Sequence, residues 1–498
     1  MSSCANAGDD RRRYSVKKAP GMGDPATASS FPEDRCSTAA GRVAEIPDDR
    51  ATDTDLTYGS TVGGAKVGLV AVIAAFILLS SVIAFATPAW ESNDEPDHVR
   101  NIETLVAGHW YGMRVGQRYT VTHGGHSYTF ARSSSGAEAH QAPLYYLFLA
   151  GWQRLAGVPA RPPNPGSAGF GDPDRGTFVH HSASDLRFLL WLRLPNVVLG
   201  ALTIWFTYLA ARIISKDPWT PVVAASIIGF LPRFVFLSAF VTNDNLVNLL
   251  GAVLTFVSLR CFVSPTRLRM ALVGVVVGLL IMTKLSALPF AVVLVPLVFR
   301  RREWFQRAQL IAVGGIAALA TCGWYLVQNT SRYGSPLAIT RSERYLAMVG
   351  GLGTLGTTYT VSDPVRYAVI DVPTKFLHVF WYGSGWAEIY SWPWPVGLLF
   401  WLVLAVCLLG LIGRHISPGI LVVLGVLAVT GFLSVWSVAF QTATYDPRLA
   451  LAAVPALMCL AALGLERWKV GVRFLFPLSL LGGTIFAIQT NVLGVHWS

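Results

Sequence analysis

The sequence predicts an all-α polytopic membrane protein of about eleven transmembrane helices, with a long first outer loop carrying two interfacial helices. Three observations predict it. Hydrophobic residues make up 53% of the 498 and gather in runs, several of them near twenty residues, the length that crosses about 30 Å of hydrocarbon. Only 13% of residues are charged, which excludes an ordinary soluble domain. The basic residues stand in short clusters between apolar runs, so the formal charge of +11 is a topology signal and not a nucleic-acid surface.

Residues 1–66 are rich in Ala, Gly, Ser, Asp and Arg with almost no aromatics, and they read as a disordered cytoplasmic tail before a transmembrane domain at 67–498. Arg11 to Arg13, Lys17 and Lys18 are offset by Asp9, Asp10, Asp48, Asp49, Asp53 and Asp55, which removes the case for nucleic acid there. Val67 to Ala86 is the first span. Its closing "AFA" resembles a signal-peptide cleavage site, but the long polar lead and the length of the run favour a retained anchor.

Further spans read at 187–212, 219–238, 245–262, 270–283, 285–299, 308–327, 396–413, 418–440, 448–466 and 474–491. The pair from Met270 to Phe299 is short. Arg260, Arg267 and Arg269 precede it and Arg300, Arg301, Arg302 and Arg307 follow, so both ends face one side and the pair is a hairpin with Lys284 near its tip. Arg212, Lys216, Arg414, Arg467, Lys469 and Arg473 complete a basic set of cytoplasmic loops.

Two long segments, 87–186 and 328–395, then face outside, and they hold eight of the ten histidines. Any chemistry belongs on that face. In "NDEPDHVRNIETLVAG", Pro96 suits a first helical turn, while Val99, Ile102, Leu105 and Val106 share one face. This predicts a short amphipathic helix on the outer membrane surface, with Asp94 and Glu95 at its positive N-terminal end. "HQAPLYYLFLAGWQRLAG", His140 to Gly157, is a second interfacial helix, strongly apolar but too short to span.

Asp244 in "VTNDNLVNLL" marks another outer helix end, and Asp446 and Arg448 in "TYDPRLALAAVPAL" mark a third. Ionisable residues at a membrane boundary are costly, so they point to a functional site or to a buried ion pair. Asp244 with Lys284, and Asp446 with Arg448, are the pairs that a purely structural role would form. Tyr382, Trp386, Trp392 and Trp394 read as an interfacial belt.

His123, His126, His180 and His181 lie in a flexible Gly-rich loop and read as solvated. Asp94 and His98, one helical turn apart, could ligate a divalent cation with another outer carboxylate, so no cofactor is certain and a metal stays open. None of the six cysteines lies in the outer segments, so no disulfide staples them. No GxxxxGK[ST] loop, strand-borne GxGxxG or GxSxG elbow occurs, which leaves nucleotide handling unsupported.

In order along the chain, "NDEPDH", "HQAPLYYLFLAGW", "FVTNDNLVNLLGAVL", "GLLIMTKLSALP", "GWYLVQNTSRYGSPL" and "YDPRLALAAVPAL" resemble the motifs of the GT-C superfamily of polytopic glycosyltransferases. The bacterial branch related to protein O-mannosyltransferases and aminoarabinose transferases is the most similar. The likeness runs from about Lys66 to Trp468, with departures at Gln328, Ser335 and Asp446. It implies transfer of a sugar, with inversion, from a polyprenyl-phosphate donor to a glycan, lipid or protein acceptor.

Helix parity puts the N-terminus in the cytoplasm and the loop charges put the site on the extracytoplasmic face, while the resemblance implies a bacterial plasma membrane. From the clustering of ionisable residues on that face, Asp94, or failing that Glu95, would be the base; Lys284 and Arg448 would hold the lipid phosphate; Asp244 and His98 would orient base or acceptor; Tyr145 would line the lipid entrance. A secondary transporter or a non-catalytic envelope-assembly protein are the competing readings of the same boundary charges.

Overall fold

The computed structural model describes residues 51–90, 92, 95–109, 119–123, 126–130, 141–160, 183–299, 301, 303–337, 364–381, 394–442 and 447–493. By its contacts the chain divides into Met1–Thr54 and Asp55–Ser498, and the helical bundle belongs to the second unit. The bundle is all-α. The departure among the described residues is a two-stranded antiparallel hairpin, Tyr119–His123 with Tyr119 opposite Phe130 and His123 opposite His126. It lies where a flexible loop was expected.

Helix α1 (Ala51–Ala86) begins inside the segment expected to be tail. Its Leu69, Val72, Phe76 and Ile83 are buried along one side, while Val67, Val70, Leu78 and Phe85 are exposed, as a helix between protein and lipid requires. After two short helices, α2 (Glu95–Val106) and α3 (Leu144–Leu155), come α4 (Ala183–Ile214), α5 (Thr220–Gly229) and α6 (Pro232–Ser238). The span expected at 219–238 is broken by 65° between α5 and α6. Pro232 causes the break by pushing the preceding Leu231 into an extended conformation, and Thr484 Oγ1 donates to the freed Phe230 carbonyl at 2.9 Å.

Helices α7 (Asp244–Val263) and α8 (Arg267–Thr283) follow. At Lys284 the backbone is extended, and a 3-10 helix, Leu285–Leu294, carries Pro289, which an α-helix interior would not accept. Arg301 Nη2 bonds the Pro265 carbonyl, so the segment returns to the end from which α8 started, as the charge pattern predicted. Then come α9 (Trp304–Tyr333), α10 (Val372–Val379), α11 (Trp394–Leu409), α12 (Pro418–Thr442), a 3-10 turn at Pro447–Ala453, α13 (Val454–Leu465) and α14 (Leu475–Ile488).

Seven of the described helices are long and apolar enough to cross a membrane, or eight with the bent α5–α6 pair taken as one span. The other expected spans, 270–283, 285–299 and 396–413, are helical but shorter. Pro447–Leu465 is the centre of the bundle, with 89% of its most apolar window buried.

Small residues let helices approach where no hydrophobic force joins them in lipid. A Cβ at Gly251 of α7 would collide with the Ala452 backbone carbonyl, so only glycine lets the 3-10 turn lie against α7. The four described cysteines, Cys261, Cys322, Cys407 and Cys459, are buried thiols. Gly251→Leu should therefore lower the thermal unfolding midpoint, by an overpacking cost of about 1–3 kcal/mol or more. Gly315→Leu, where nothing lies within 4 Å, should leave it unchanged.

Candidate functional site

Helix α2 was expected to float on the membrane surface. Instead its apolar face, Val99, Ile102 and Leu105, is buried in a separate small core with Tyr145, Tyr146 and Leu149 of α3 and Leu189 and Leu192 of α4. An amphipathic face accepts protein as readily as lipid, and here distant segments cover it. Only α3 keeps an exposed apolar stripe, Phe148, Trp152 and Leu155, suited to an interface.

What locks this small core to the bundle is Arg193, fully buried in the first third of α4. All five of its N–H groups are placed. Nε and one Nη2 hydrogen donate to Glu95 Oε1 and Oε2 at 2.9 and 2.6 Å, Nη1 donates to the Ala84 and Thr87 carbonyls at 2.8 and 2.9 Å, and Nη2 also reaches the Pro88 carbonyl at 3.2 Å. The Val241 backbone N–H donates to Glu95 Oε1 at 3.1 Å. Glu95, expected as an alternative base, is fully buried and bidentate with Arg193, the geometry of an anchor.

His98 and Tyr145 lie in the same buried layer. His98 Nδ1 is 2.8 Å from the Tyr146 hydroxyl, and its ring stacks on Tyr146. Tyr145 was expected at a lipid entrance, but it is fully buried and donates to Asn196 Oδ1 at 2.9 Å. Burial pushes its phenol well above the ordinary tyrosine pKa, against the opposing hydrogen bond to Asn196, so it stays protonated as a donor. Asn245 Nδ2 donates to the same Asn196 oxygen at 3.0 Å and to the Leu237 and Phe240 carbonyls, which ties the layer to the start of α7.

There the charges meet. Asp244, 2% exposed in the first turn of α7, pairs through Oδ1 with Lys284 Nζ at 2.6 Å and through Oδ2 with Arg448 Nε at 3.4 Å. The three come from a helix start, a helix break and a 3-10 turn, and the Gly251–Ala452 approach holds the 3-10 turn against α7. The ion pair of Asp244 with Lys284 thus forms, and Arg448 joins it. Asp94, the first choice for a base, lies outside the described residues, as do Asp446, Tyr382, Trp386 and Trp392. Among the described residues no three His, Cys, Asp or Glu gather as a metal site.

By sequence, residues 189–325, from α4 to α9, match the family model of dolichyl-phosphate-mannose-protein mannosyltransferase. No curated protein matches the chain. Among solved structures, ArnT from Cupriavidus metallidurans bound to undecaprenyl phosphate superposes with a TM-score of 0.50 at 16% identity, over 84% of this chain and 64% of that one. The chain thus spans less than two thirds of that structure's length. The chain has the GT-C fold. The Archaeoglobus fulgidus oligosaccharyltransferase gives 0.46 at 13% identity over 86% and 52%, and the S. cerevisiae Pmt1-Pmt2 complex 0.37 at 15% over 54% and 34%.

Within this GT-C fold the sequence reading missed Arg193, Asn196 and Asn245. Arg193 carried a signal: an arginine inside an apolar run, two residues before Pro195, is the costly kind of residue that needs a partner. Arg193→Met should cost about 3–5 kcal/mol, because it strands the Glu95 charge. Joining it with Glu95→Leu should recover part of that loss in thermal unfolding; a double variant as unstable as the sum of the singles would show that the two side chains are not coupled.

Proposed function

We propose that the chain is an integral-membrane glycosyltransferase that moves a sugar from a polyprenyl-phosphate donor to an acceptor hydroxyl, with inversion, on the extracytoplasmic face of a bacterial plasma membrane. The observation that carries this reading is the Asp244–Lys284–Arg448 cluster, set at the end of the GT-C bundle where α2 begins. A lipid-borne donor keeps its phosphate at that depth, and fixed cations there stabilise the charge that builds on the departing oxygen.

In the proposed step the acceptor oxygen attacks the anomeric carbon, the bond from that carbon to the phosphate oxygen breaks, and polyprenyl phosphate leaves. The acceptor proton passes to Asp94, which directly precedes the anchored Glu95 in sequence. Lys284 and Arg448 receive the phosphate, and Asp244 fixes their ammonium and guanidinium groups. His98, Tyr145 and Glu95 position α2 and take no part in bond making. The acceptor is a glycan, lipid or protein, and a divalent cation that includes Asp94 is compatible with the scheme.

The test uses purified protein with a labelled polyprenyl-phosphate sugar and its acceptor. Asp94→Asn and Lys284→Met should each reduce turnover on the order of a hundredfold or more, with unchanged protein yield. Normal turnover in Asp94→Asn would remove it as the base, and normal turnover in Lys284→Met would remove the cluster from the chemistry.

A further inference from the structure

Asn248 stands one turn beyond Asp244 on α7, and residues four apart project from the same face of a helix. It is 1% exposed, and neither its Nδ2 nor its Oδ1 has a hydrogen-bond partner among the described residues. Buried carboxamides are seldom left this way. The adjacent amides of the same motif are engaged through nitrogen, Asn245 Nδ2 with Asn196, Leu237 and Phe240, and Asn243 Nδ2 with Gln141, and lack a partner only at Oδ1, whereas Asn248 lacks one at both atoms.

The direction of Asn248 is set by its helix. Asp244, Asn248 and Gly251 fall within one narrow arc of α7. Asp244 faces Lys284 and Arg448, and Gly251 lies against Ala452, four residues after Arg448 in the same turn. The unpaired carboxamide therefore flanks the cation cluster on the side of the bundle interior. Lys284, an ammonium with three donors, has one of them committed to Asp244 at 2.6 Å. An anion drawn to that ammonium meets an amide donor next to it.

We propose that Asn248 is a binding residue for the phosphoryl group at this cluster, with Nδ2 donating to a phosphoryl oxygen that Lys284 Nζ also holds. A neutral amide adds direction without adding charge, so it fixes the orientation of the phosphate and leaves the charge balance to the cations. The proposal rests on the glycosyl-transfer reading for the identification of that phosphoryl group with a lipid carrier.

The experiment measures binding of undecaprenyl phosphate, and of inorganic phosphate as its competitor, to the full-length protein in lipid nanodiscs. Asn248→Leu should weaken the lipid phosphate on the order of tenfold, with an unfolding midpoint equal to or above that of the parent, since an unpaired polar group is replaced by an apolar one of similar size. Asn248→Asp, which keeps the shape and adds a like charge, should weaken it further. Inorganic phosphate should show the same rank order; a rank order seen only with the lipid would overturn the phosphoryl assignment. Unchanged affinity in Asn248→Leu, with Lys284→Met still impaired, would overturn this inference alone. No lipid-phosphate binding by the parent, or none lost in Lys284→Met, would overturn the reading beneath it.

Discussion

The bidentate pairing of Arg193 with Glu95 is the constraint on which the membrane-boundary end of this protein depends. Both groups are fully buried, so their attraction is set against a large desolvation cost, and the pair is poor evidence for net stability. What it provides is position. The guanidinium joins the end of α1, the start of α2 and the body of α4, and Glu95 extends the link to Val241, three residues before Asp244. The first turn of α7 inherits its place from that link, and the cation cluster inherits its place from α7.

A second regularity follows from the chemistry of backbone in lipid. Apart from Arg193 in the body of α4, four charged residues of the site stand where a helix starts or breaks: Glu95 at the start of α2, Asp244 at the start of α7, Lys284 in the extended step after α8, Arg448 in the 3-10 turn before α13. Interrupted helices are tolerated at membrane depth where they are buried in protein or line a polar site. Prolines 289, 447 and 455 keep those interruptions in place. Gly251 removes the side chain that would otherwise hold α7 and the 3-10 turn apart.

The membrane class, the hairpin at Lys284 and the gathering of Asp244 with Lys284 were legible because ionisable residues at the rims of apolar runs stand out in a sequence. The pairings of Arg193, Asn196 and Asn245 were not, because these residues lie inside runs whose average stays apolar and their partners are far away in sequence, 98 residues in the case of Arg193 and Glu95. The amphipathic pattern of α2 gave its buried face correctly but could not say that α3 and α4, and not lipid, would cover it. The partners of Glu95 and Tyr145 were hidden for the same reason: polar groups that look available on one short helix are engaged by segments that only the fold brings together. The break in the 219–238 run was readable from Pro232, whose effect on Leu231 is local.

The central claim is that the charge cluster serves a donor carried on a membrane lipid. Its most direct measurement offers the purified protein labelled polyprenyl-phosphate sugars and, separately, labelled nucleotide sugars with the same acceptors. The account predicts transfer from the lipid-linked donors alone; transfer from nucleotide sugars with none from the lipid-linked forms would contradict it.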